Sequence, residues 1–88
     1  MKKLTGSKKQ IKWAKDIRLD ILSAIDESLE YTEKSVTDIE QKERGIKHLS
    51  EKKKNILEMT MSTYFIDNRS DASSIRNILK IVKHQTSN

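Results

Sequence analysis

Eighty-eight residues make one domain at most. Of these, 34% are apolar and 35% charged, with no proline, two glycines and no cysteine. That composition leaves a thin core and excludes a disulfide framework, a thiolate metal site and a sheet of many short strands.

In chain order, the first clear element begins at Ser7. Its hydroxyl can accept from an amide of the first helical turn, and Gln10 can reach back to the Ser7 amide, a capping box. Gly6 precedes it and residues 1–6 read as a flexible lead-in. Ile11, Ala14, Ile17, Ile21, Ile25 and Leu29 then recur at steps of three and four on one helical face, which Leu22 widens. Trp13, Ala24 and Tyr31 fall on the flank of that face, and Trp13 reads as a core or core-edge anchor.

After Leu29 the apolar density drops, and residues 30–55 carry 13 charged side chains among 26. Pairs at four-residue spacing such as Glu30 with Lys34 keep the stretch helical. Gly45 sits where a glycine cap belongs, which predicts a projecting charged hairpin over 30–55 turning near Gly45. A second break at 35–37, with Thr37 capping a new helix and Glu40 behind it, is the alternative. Ile46, Leu49, Ile56, Leu57, Thr60 and Tyr64 form the next apolar face, and Asn68 can end that helix. Ser70 or Asp71 can cap a last helix whose apolar face is Ala72, Ile75, Ile78, Leu79 and Val82. Residues 85–88 read as a frayed tail.

The fold expected is therefore all-α: a single small domain of three helices, or four if the first breaks. Ile17, Ile21, Ile25, Phe65, Ile75, Leu79 and Val82 are expected in one buried cluster. So small a core can be completed by a homodimer. No apolar run approaches the roughly 18 residues of a membrane span, and no signal-peptide stretch opens the chain. A cytoplasmic protein is expected.

The run L-T-G-S at 4–7, with K-Q-I at 9–11, W-A at 13–14 and I-R at 17–18, resembles the opening of a family of short proteins from bacterial phages and mobile elements. Y-F-I-D-N-R at 64–69 is similar to a second block near their end. The two blocks cover about a quarter of the chain and contain no catalytic signature. The resemblance implies a genetic context rather than a chemistry.

Few residues suggest catalysis. His48 and His84 lie in charged helical surroundings with no carboxylate or nucleophile at a recognised spacing. No catalytic site, cofactor or metal is expected, and the chain does not read as an enzyme. A helix-turn-helix at Gly45 fits poorly, because Gln41 and Glu51 stand where a small and an apolar residue belong.

The net charge is +5, which favours nucleic acid or an acidic protein surface as a partner. Residues 1–20 carry seven basic and two acidic side chains, residues 21–45 three and seven, and residues 46–88 eight and four. Lys8, Lys12 and Lys15 share one side of the first helix. Arg76, Lys80 and Lys83 line a side of the last. If those helices pack, the stripes could join into a phosphate-binding surface. Arg18 falls inside the apolar stripe, where a charge needs a partner, and Asp67 is the candidate. The alternative is that Arg18 extends its head to solvent. Two functions are carried forward. One is a non-catalytic protein-binding module that modulates a nucleic-acid machine, such as a host immune nuclease complex. The other is direct binding of DNA or RNA through the lysine stripes.

Overall fold

The computed structural model describes residues 2–86, and every regular element among them is helical. Helix α1, Lys8–Ser35, opens with the expected capping box. The Ser7 hydroxyl accepts from the Gln10 amide at 3.2 Å, and the Gln10 side chain accepts from the Ser7 amide at 3.1 Å. Its inner face buries Ala14, Ile17, Ile21, Leu22, Ala24 and Ile25, with Ile11 and Leu29 packed alongside.

Val36 takes an extended conformation and ends α1, and Asp38 caps helix α2, Ile39–Glu58, by accepting from the Gln41 amide at 3.0 Å. The turn thus lies at 36–38, one residue past the expected Thr37 cap, and not at Gly45. Gly45 is inside α2 for a packing reason. A Cβ there would stand 3.2 Å from the Thr32 methyl, so glycine lets α2 approach α1 closely. The charged stretch is α2 laid back along α1, with Lys53 bonded to Asp26 at 2.8 Å and Ile56 buried beneath it.

Residues 2–7 are not a loose lead-in. The Lys2 amide donates to the Leu57 carbonyl at 3.1 Å, the Thr5 amide to Thr60 at 2.7 Å, and the Ser62 amide to Thr5 at 3.2 Å. Leu4 is 4% exposed and belongs to the core. Gly6 turns this strap into α1 with φ +135°, a value that only glycine adopts without strain.

Helix α3, Ser62–Asp67, contributes the fully buried Phe65. The helix expected to carry Ile46 through Tyr64 is broken at residues 59–61, where Thr60 and Ser62 pair with Thr5, so Asn68 ends only the short α3, with φ −109° and its side-chain amide donating to the Tyr64 carbonyl at 2.8 Å. Helix α4, Asp71–Thr86, then runs along the second half of α1 in the same direction. Arg76 reaches Asp20 and Glu27, and Lys83 lies over the Tyr31 ring. Ala72 and Leu79 face inward, and Ile75 and Val82 are half-buried. Ile78, expected inside, is 62% exposed. Of the expected tail, Gln85 and Thr86 are helical, while Ser87 and Asn88 lie outside the described residues.

Among the described residues, α2, α3 and α4 each pack on α1 and not on one another. The result is a long, thin body of 47 × 20 × 15 Å with α1 as its spine.

Candidate functional site

The chain presents two distinct surfaces, one at each end of α1. At the N-terminal end the strap, the first turns of α1 and the α3–α4 turn meet. The Arg69 guanidinium lies 5.7 Å from the Trp13 ring centroid, and its Nη1 donates to the Ile66 carbonyl at 2.8 Å. Trp13 is 49% exposed, so of the core or core-edge place expected of it the core is ruled out. Its place on the flank of the apolar stripe was readable in the sequence. The arginine that covers it, 56 positions on, was not.

The lysine stripes do not join. Lys8, Lys12 and Lys15 are exposed, and by helical angle they share the side of α1 that carries Asp26, where α2 docks. Asp20 and Glu27, which hold Arg76, lie roughly 110° round the helix. The α4 stripe is also partly neutralised. Arg76 sits 2.7 Å from Asp20 and 3.5 Å from Glu27, and these carboxylates hold its proton more tightly than usual. Lys80 is exposed, and Lys83 is exposed with its ammonium 5.6 Å from the Tyr31 centroid. Among the described residues, Lys2, Lys3, Lys8, Lys9, Lys12 and Lys15 take part in no ion pair. The strap end therefore carries six lysines whose charge no carboxylate meets.

Arg18 and Asp67 are not partners. Arg18 is 5% exposed, its Nη1 donates to the Lys2 carbonyl at 2.8 Å, and its guanidinium carbon lies 5.9 Å from the Phe65 centroid. Its Nε has no partner, and burial pushes the group below its ordinary pKa. Asp67 ends α3 exposed to solvent. The strap's backbone supplies the acceptor that Asp67 was expected to supply, because Leu4 anchors the strap against the core beside α1.

At the other end, the gap between α2 and α4 forms an apolar cleft of about 290 Å³. Its floor is Ser28 and Tyr31 of α1, with Leu49 on one wall and Ile75, Ile78 and Val82 on the other. His48, at its edge, is exposed, as is His84. No group of three or more His, Asp or Glu among the described residues could hold a metal ion, and no helix is long and apolar enough to cross a membrane.

The strap end is where residues 4–18 and 60–69 meet. Thr5 bonds to Thr60 and Ser62, Arg18 faces Phe65, and Trp13 stacks with Arg69. No protein-family model, curated protein or solved structure matches the chain.

Proposed function

We propose that this chain is a non-catalytic protein-binding module of a phage or mobile element, which modulates or inhibits a nucleic-acid machine such as a bacterial immune nuclease. The observation that supports it is the half-exposed Trp13 with Arg69 across its ring. Tryptophan and arginine most often dominate binding energy at protein interfaces, and here one stacks on the other with both surfaces open to a partner. The flank around them mixes Lys9, Asp16 and Asp20, which suits a polar protein rim better than a phosphate chain.

The test is inhibition of DNA cleavage by a host nuclease complex that the wild-type chain engages. Trp13→Ala and Arg69→Ala should each weaken inhibition by about 30-fold or more, while thermal melting shows both variants still folded. Undiminished inhibition by both variants would remove Trp13 and Arg69 from the interface. A second reading, direct DNA or RNA binding, is favoured by the lysines at the same end of the molecule.

A further inference from the structure

The chain exposes 6473 Å² of surface, whereas a folded monomer of 10.2 kDa exposes about 5,300 Å². The excess, about 1,150 Å², is larger than the roughly 800 Å² that each partner hides in a stable interface. It arises from the thin body, 15 Å in its smallest dimension, in which α2 and α4 flank α1 without closing on each other.

Two of the large exposed hydrophobic side chains, Ile78 and Ile81, lie together on α4. Ile75, Ile78, Val82 and Gln85 recur at steps of three and four, the spacing of a coiled-coil seam, and Ser74 and Ile81 widen it. Ile78 and Ile81 are 62% and 58% exposed, and Ile75, Ile78 and Val82 also form one wall of the cleft. None of these six side chains is charged.

We propose that this face binds a second copy of the chain, α4 against α4 and antiparallel about a two-fold axis near Ile78, with Ile78 of each copy seated in the other's cleft. A two-fold interface brings a patch against itself, so any charge within it would meet its own like. An uncharged stripe on a chain of net charge +5 meets that condition. The register meets it too. With Ile75 opposite Val82, the cations of α4 stay out of the seam: Arg76 and Lys83 turn to α1, at Asp20, Glu27 and Tyr31, and Lys80 lies on the same far side of the helix. The interface is at the opposite end of α1 from Trp13 and Arg69, so it leaves the proposed partner surface open on both copies.

Sedimentation equilibrium of the full chain from low to high micromolar concentration tests this. A reversible shift towards twice 10.2 kDa is expected. Ile78→Glu enters the interface twice and should raise the dissociation constant by about 100-fold or more, with unchanged helical circular dichroism because Ile78 is exposed in the single chain. The sequence has no cysteine, so Ile78→Cys introduces the sole thiol, and it should oxidise to a covalent dimer faster than Lys54→Cys on the outer side of α2. A monomer at every concentration, a dimer indifferent to Ile78→Glu, or equal crosslinking at Ile78→Cys and Lys54→Cys would each overturn the proposal.

Discussion

Arg18 enters the core without a carboxylate to meet it. Its charge is met by one backbone carbonyl, that of Lys2, and by the face of Phe65, and its Nε finds nothing. A buried ion pair broken at one partner costs about 3–5 kcal/mol, but a buried cation whose acceptor can rehydrate at the surface has no such penalty. Methionine would keep much of the stem's packing and relieve the desolvated guanidinium, which offsets much of the loss of one charged hydrogen bond worth about 1.5–3 kcal/mol. Arg18→Met should therefore change unfolding free energy by less than about 1.5 kcal/mol. Asp67→Asn should change it hardly at all, and the coupling between the two in a double-mutant cycle should be near zero. A coupling above about 1 kcal/mol in urea denaturation would restore the Arg18–Asp67 pair.

Gly45 is the clearest case of an element read wrongly for a physical reason. Thr32 donates its hydroxyl to the Ser28 carbonyl at 2.7 Å, which turns its methyl towards α2. Alanine at 45 would gain about 1 kcal/mol of helix propensity but press on that methyl. Gly45→Ala should therefore stabilise the chain more in a Thr32→Ser background, where the methyl is gone and the hydroxyl kept, than in the wild type. A difference of about 0.5–1 kcal/mol is expected by denaturation, and none would mean that α1 and α2 do not approach there. Where a signal was local, the sequence carried it. The Ser7–Gln10 box and the α1 stripe both follow from neighbours three or four positions apart. Gly45, Ile78 and Arg69 turn on residues far along the chain. A glycine at a helix crossing looks like one at a turn, an isoleucine facing a cleft looks like one facing a core, and no spacing links Arg69 to Trp13.

At the scale of the whole molecule, charge and shape are segregated along α1. The acidic half of α1 is largely answered within the fold, by Lys34, Lys53 and Arg76. The strap end keeps its lysines. If nucleic acid binds there, Lys8→Gln, Lys12→Gln and Lys15→Gln together should weaken binding to mixed-sequence DNA and flatten its salt dependence by up to about three phosphate contacts. Affinity and slope unchanged in a gel-shift titration would leave those lysines as solvated surface. The strap itself has a further consequence, for the order of assembly. Lys2 and Thr5 are held by Leu57, Thr60 and Ser62, partners some 55 positions away, so the strap is fixed by a segment made well after it. During synthesis α1 and α2 can pair as soon as both have emerged, but Leu4 and the Lys2 carbonyl must wait for the segment after α2. Until then Arg18 has no acceptor and the apolar face of α1 lies open at that end, so the nascent chain is most prone to misassociation just before its strap closes.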